Sequence, residues 1–272
     1  MLSDSVVRAR AEAVSIEHRI NHFPKHPLCD MCNLARLFSK RIRSHRVPDP
    51  ESDLPESSKF GEQAAIDHMV VSKSSGGKEF LVLIVCDSVS GIVNAYPATS
   101  KGSDFAHPCL HHFVGLRFKN PDTVCRSDAP PELVKAIRDL GWLLDTALPR
   151  RWLHSSKCEL MIRTFEECCR CLHLQAGLAV FPKLWPITCR YAAVAVSIDT
   201  WEKAFGTEFK GANHALGQLV FYRAKFLYKP KLDPNASPAL MAGWGLEFGL
   251  RFKGVLTLLG DQALREGKIV CV

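Results

Sequence analysis

Apolar and polar residues are arranged in three blocks soon after residue 60. Gln63 to Val71 is apolar with polar residues interposed, Phe80-Leu-Val-Leu-Ile-Val-Cys86 is continuously apolar, and Ile92 to Ala98 is apolar again. Ser72-Lys73-Ser74-Ser75-Gly76-Gly77 and Ser88 to Gly91 lie between them. Turn residues at that spacing predict three successive strands of an antiparallel meander. The period then lengthens. Ser103 predicts the start of a helix running to about Leu116, Thr123 to Arg126 a short strand, and Pro131 a helix closing at Gly141, since proline suits the first helical turn and glycine the position past the last. Trp142 to Leu144 predicts another strand and Asp145 to His154 a loop. A long helix follows from about Ser155 to Gln175, closed by Gly177, and a further one from about Pro186 to Ile198. Strands that come first in a run and then alternate with helices predict an α/β fold, a mixed sheet with helices on its faces.

Two stretches depart from this pattern. Val47 to Ser58 has three prolines and almost no apolar residue, which predicts an extended linker. Beyond Thr200, glycines at 206, 211, 217, 243, 245 and 249 with aromatics between them predict a small β-rich module. The expected organisation is an N-terminal module over 1–46, a linker over 47–60, a core over 61–200 and a C-terminal module over 201–272.

Composition narrows the class. The 272 residues are 47% apolar and 23% charged with a mean hydropathy of −0.01, values of a globular chain that exclude disordered and collagen-like proteins. The longest apolar run, Phe80 to Cys86, is far short of the eighteen or so residues of a membrane span, so no membrane partner is expected. Met1-Leu2-Ser3-Asp4-Ser5 gains charge at once and predicts no secretory leader. The eleven cysteines are odd in number, with Cys168, Cys169 and Cys171 crowded on one predicted helix. That pattern suits small core hydrophobes in a reducing intracellular compartment. The net charge of +7 is unevenly divided: +4 over 1–50, −2 over 51–60, +1 over 61–200 and +4 over 201–272. Basic ends around a neutral middle suit terminal modules that grip a polyanion. The candidate contacts are Lys40, Arg41 and Arg43 in the first module, Arg163 in the core, and Arg223 and Lys225 in the last, where Phe221, Tyr222, Phe226 and Tyr228 are interleaved.

Two groups of residues have the types and spacing of metal ligands. His18 and His22 are four apart, and Cys29-Asp30-Met31-Cys32 offers two thiolates across a tight turn, a complete tetrahedral set for one zinc ion. His26 is also four from His22 and could stand in for His18. A segment of under fifty residues buries too little surface to hold itself, so zinc would supply its folding energy. With a linker after it, its loss is expected to leave the core intact. In the core, Asp67 sits within the first strand on the face of Ala65 and Met69, Asp128 follows the strand Thr123 to Arg126, and Glu159 is early in the long helix. Three carboxylates brought together would need a hard cation, Mg²⁺ or Mn²⁺. Two such ions could activate water or a 3′-hydroxyl against a phosphodiester. Surface acids without a metal are the competing reading. His107, Cys109, His111 and His112 are read as core and surface positions of one helix. Cys158 or Cys168 with His154 or His173 lacks an orienting third group and is read as packing.

The order His-His-Cys-Cys, linker, Asp67, Phe80-Leu-Val-Leu-Ile-Val-Cys-Asp-Ser-Val-Ser-Gly91, Arg126-Ser127-Asp128 and Glu159 resembles the integrase of copia-type retrotransposons over nearly the whole chain. Glu159 to Arg163, Ala176-Gly177-Leu178 and Trp185-Pro186 are similar to that family's catalytic-glutamate helix and the segments after it. Asp87 and Ser88 to Ser90 look like the stretch after its second strand. The resemblance implies a ribonuclease H-like core with helices on both sheet faces, preceded by a zinc module and followed by a small β-barrel suggested by Gly217 to Val220 and Ala242-Gly243-Trp244. It implies a polynucleotidyl transferase that integrates DNA, with Asp67, Asp128 and Glu159 as ligands of two Mg²⁺ or Mn²⁺ ions, working in the nucleus on element ends and target duplex as an assembly of copies. Sixty residues separate Asp67 from Asp128, and thirty separate Asp128 from Glu159, where the family has about thirty-five. Ala129-Pro130-Pro131 and Ser155-Ser156-Lys157-Cys158 stand where the family has Asn-Gly. A remnant that binds nucleic acid without chemistry is the alternative, and a ribonuclease H-type nuclease a third reading with no use for a zinc module.

Overall fold

The structure is a computed structural model that describes residues 4–35, 58–73, 79–115, 123–146, 156–177, 184–211, 213–222, 236–259 and 270–271. Its centre is a five-stranded sheet formed by β1 (Gln63–Lys73), β2 (Glu79–Asp87), β3 (Val93–Ala98), β4 (Val124–Ser127) and β5 (Leu143–Thr146). The spatial order is β3-β2-β1-β4-β5. β1, β2 and β3 pair antiparallel, as the meander predicts, whereas β4 runs parallel to β1 and β5 parallel to β4. The crossovers to β4 and β5 contain α4 (Ser103–Val114) and α5 (Pro131–Asp139). This mixed order, a meander followed by two parallel strands, is the ribonuclease H-like α/β arrangement.

The two faces of the sheet bury different helices. Ala64, Ile66, Leu83 and Val85 pack with Leu110 and Phe113 of α4 and Leu133 and Ile137 of α5. Ala65, Val82, Ile84 and Cys86 pack on the opposite face with Phe165, Cys168 and Leu172 of α6 (Ser156–Gln175) and with α7 (Trp185–Ser197). β2 is therefore covered on both sides, which is why it reads as an unbroken apolar run rather than an alternation. α7 is buried from Ile187 to Ser197 apart from Arg190. It lies between β3 on one side and the C-terminal sheet on the other, and Ala192, Ala193 and Ala195 let both approach closely.

After the short α8 (Trp201–Phe205), the C-terminal strands β6 (Leu219–Tyr222), β7 (Ser237–Glu247), β8 (Arg251–Leu259) and β9 (Val270–Cys271) form a second sheet in the order β6-β7-β8-β9. The expected barrel is not found. Among the described residues β6 and β9 are unpaired edges of an open, four-stranded antiparallel sheet. Its closure is replaced by packing on α7, where Trp244 stacks on Tyr191 at a ring separation of 4.7 Å and the Tyr191 hydroxyl donates to the carbonyl of His214.

The N-terminal residues form α1 (Asp4–Ala13), α2 (Ile16–Asn21) and α3 (Asp30–Ala35). They are not isolated from the core as the linker suggests. Ala13, Cys29, Cys32 and Ala35 share an apolar cluster with Cys171 of α6. The linker residues 47–57 lie outside the described residues.

Candidate metal centres

The first centre is set by strand register. Gln63, Ala64 and Ala65 of β1 stand opposite Val124, Cys125 and Arg126 of β4. Asp67 lies two residues beyond Ala65 in β1, and Asp128 directly follows the last residue of β4, close enough for its charge to act on Asp67. Side chains two residues apart share a face, so Asp67 falls on the α6 side with Ala65, whereas the charge of Asp128, past the end of β4, acts on both Asp67 and His68. Both carboxylates are solvent-exposed, yet the surrounding protein raises the carboxyl of Asp67 above its ordinary value. Lost solvation is the largest cause; the 2.7 Å hydrogen bond from the His68 N–H works against it, repulsion from Asp128 and Glu166 adds to it, and Lys101 works against it. Like charges held together in this way are relieved by a divalent cation.

Glu166 is the carboxylate that sequence reasoning missed. It is half-buried on α6, and its charge acts on Asp67. Glu159 is seven residues earlier on α6, two turns less about 20° and hence on the same stripe. The side chain of Glu159 lies outside the described residues. A signal was present in the spacing, since thirty-seven residues separate Asp128 from Glu166, nearer the family interval than the thirty before Glu159. Asp87 has a different task. It is fully buried and accepts hydrogen bonds from the N–H of Gly61, the N–H of Ser90 and the Ser90 hydroxyl at 3.0, 2.6 and 2.6 Å, which fixes the turn between β2 and β3. Beside Asp128, Ala129 adopts φ 60, a left-handed conformation that costs a residue with a Cβ about 1 kcal/mol.

Of the predicted DNA contacts, Arg163 is exposed on α6. Lys40, Arg41, Arg43, Arg223 and Lys225 lie outside the described residues, as does most of the loop from Asp145 to His154. His112 is engaged in packing, its Nδ1 2.9 Å from the Tyr96 hydroxyl.

The second centre is in the N-terminal helices. One ligand atom from each of His18, His22, Cys29 and Cys32 falls within 4.8 Å of the others, and all four residues are buried. Cys29 Sγ is 3.5 Å and Cys32 Sγ 3.6 Å from His22 Nδ1, and Cys32 Sγ is 3.4 Å from His18 Nε2. Zinc bonds of about 2.05 Å to nitrogen and 2.3 Å to sulfur at a tetrahedral angle require an N···S edge of about 3.6 Å. These three edges match. Burial pushes the Cys29 thiol up; the Cys32 N–H works against it, the Cys32 side chain adds to it, and the Met31 N–H works against it, so a cation is what would hold the Cys29 sulfur as a thiolate. His26 is excluded from the set, because its Nδ1 accepts from the Leu28 N–H and its Nε2 faces Glu12 at 4.0 Å. The Ser15 hydroxyl accepts from the His18 N–H to start α2, and His22 ends it in a left-handed conformation. That break turns the second imidazole toward the thiols.

No family model matches the chain, and no curated protein does. Among solved structures the chain is similar to the catalytic core domain of BIV integrase, at 13% identity with a TM-score of 0.36 over 54% of this chain and 90% of that one. It is also similar to a chain of the simian T-cell lymphotropic virus intasome in complex with the PP2A regulatory subunit B56 gamma, at 12% identity and a TM-score of 0.40 over 84% of this chain and 82% of that one. At such scores the ribonuclease H-like architecture rests on this chain's own strand order and register.

Proposed function

We propose that the chain is an integrase-type polynucleotidyl transferase of copia-type descent, joining element ends to target DNA in the nucleus as an assembly of copies. The observation that supports the reading is Asp67 in β1 beside Asp128 at the end of β4, with the charges of Asp128 and Glu166 both acting on Asp67. Two Mg²⁺ or Mn²⁺ ions bound by Asp67, Asp128 and a glutamate of α6, Glu159 or Glu166, would supply activation of water or a 3′-hydroxyl and stabilise the leaving oxygen. The chain's own residues do the rest. β1 holds Asp67, and the end of β4 holds Asp128 beside it, so little reorganisation is needed when a phosphodiester arrives. Lys101, which already acts on Asp67, and Arg163, exposed on α6, attract the phosphate backbone. The zinc module and the basic segments at both ends lengthen the DNA track.

The test is a strand-transfer assay with the purified full chain, Mg²⁺ or Mn²⁺, a short duplex mimicking an element end and a plasmid target. Joined product is expected, and its loss in Asp67→Asn and in Asp128→Asn. Glu159→Gln and Glu166→Gln then identify the third ligand as the one whose loss abolishes joining. Product that survives both aspartate substitutions would refute the reading. Ala129-Pro130-Pro131, which stiffens the backbone beside Asp128, favours a second reading, a DNA-binding remnant; it predicts duplex binding with no joined product under any metal.

A further inference from the structure

The zinc residues do not stand alone, since one of their partners comes from the core. The side chain of Gln175, in the last turn of α6, reaches the N-terminal module across more than 150 residues of sequence. Its amide nitrogen donates to the carbonyl of Arg19 at 3.1 Å, and its Oε1 faces the Arg19 guanidinium Nε at 3.3 Å. A carbonyl can only accept and a guanidinium can only donate, so the two contacts fix which end of the amide is which. The same Oε1 is 2.9 Å from His22 Nε2. His22 must therefore carry its proton on Nε2, which leaves the Nδ1 lone pair directed at Cys29 and Cys32, 3.5 and 3.6 Å away. A ligating histidine that donates its other N–H to an oxygen acceptor is held in the correct tautomer and made a better ligand. Cys171, one turn earlier on α6, adds a contact to the carbonyl of Met31 at 3.8 Å and packs against Cys29 and Cys32.

We propose that Gln175 is a positioning residue of the zinc centre, and that through it zinc loading fixes the C-terminal end of α6, the helix that carries Glu159 and Glu166. The proposal rests on the zinc reading of His18, His22, Cys29 and Cys32. It makes the zinc module part of the architecture of the carboxylate site instead of a detachable DNA grip. Because coupling between two sites is reciprocal, the interaction that tightens zinc binding must also return order to α6.

The full chain is purified under reducing conditions, and its zinc affinity is measured by competition with a chromophoric chelator for the wild type, Gln175→Met and Gln175→Glu. The methionine keeps the length of the side chain and removes the acceptor, whereas the carboxylate keeps an acceptor. Gln175→Met is expected to lose about 10–100-fold in zinc affinity, and Gln175→Glu to keep or exceed the wild-type value. The Co²⁺-substituted proteins supply a signature that packing alone would not move: the visible bands of Gln175→Met shift from the wild-type positions and those of Gln175→Glu do not. Hydrogen exchange supplies the core side, with amides 171–177 protected by zinc in the wild type and indifferent to it in Gln175→Met. A wild type that holds one zinc while Gln175→Met binds it equally well overturns this inference and spares the zinc reading. A wild type that holds no zinc overturns both. If Gln175→Met does not fold, zinc-dependent protection of 171–177 in the wild type decides, and its absence overturns the proposal.

Discussion

Removing zinc should loosen the core as well as the module that binds it. Cys32 is the informative position: it is fully buried, and its sulfur lies 3.4 and 3.6 Å from the two histidine nitrogens. Structural zinc supplies about 10–16 kcal/mol to a module of this kind. Besides zinc, residues 4–35 are held by apolar contacts, Ile20 with the main core and Ala13, Cys29, Cys32 and Ala35 with Cys171, and by hydrogen bonds between Gln175 and His22, Gln175 and Arg19, and Cys171 and Met31, which contribute about 1 kcal/mol each. Roughly 3 kcal/mol of hydrogen bonding and these few small apolar contacts cannot replace about 10–16 kcal/mol, so Cys32→Ser, or the wild type with a strong chelator, should lose structure over 4–35. The core then loses the same 3 kcal/mol from α6, which at about 2–4 °C per kcal/mol lowers its Tm by roughly 6–12 °C. Hydrogen-exchange mass spectrometry with a thermal melt reads both effects, and unchanged protection of 80–98 serves as the control for a folded sheet. Residues 4–35 that stay protected in chelated Cys32→Ser protein would refute the reasoning, because the segment would then be folding without its metal.

Three further predictions follow from particular residues. The raised carboxyl of Asp67 means that at this group the folded, metal-free protein binds more protons than the unfolded chain, so its contribution makes stability fall as pH rises from the unfolded aspartate value of about 3.9 through the raised folded one; urea unfolding across that window should show stability of the wild type falling relative to that of Asp67→Asn. Ala129→Gly relieves the left-handed backbone at φ 60 and should stabilise the protein by about 0.5–1 kcal/mol, measured by the same unfolding curves, with no gain counting against strain at that position. Affinity for two unrelated duplexes should fall together with salt, by about 0.9 log unit per contacted phosphate for each tenfold increase; a flat response, or preference for one duplex, would point to a protein partner for the basic ends.

Local patterning made most of the central sheet legible. The meander, the proline-led helix at Pro131 and the long helix ending at Gly177 need only turn residues and periodicity, and β5 merely extends two residues past the predicted Leu144. The cluster of His18, His22, Cys29 and Cys32 is legible for the same reason, since four residues within fifteen positions carry their own geometry. What sequence could not supply is placement between distant segments. Nothing local to Gln175 marks it as the partner of His22, and Glu166 looks like any solvated helix acid until its charge is seen to act on Asp67. The open C-terminal sheet departs from the expected barrel on similar grounds: glycine and aromatic spacing predicts strands, but whether their edges close on each other or on α7 depends on Tyr191 and Trp244, more than fifty residues apart.

Manganese binding counted by electron paramagnetic resonance tests the central claim most directly, using zinc-saturated full chain on duplex DNA. The account predicts two Mn²⁺ ions bound per chain in the wild type and a loss of both in the double variant Asp67→Asn, Asp128→Asn, with DNA affinity retained. Equal Mn²⁺ binding by the wild type and the double variant would contradict it.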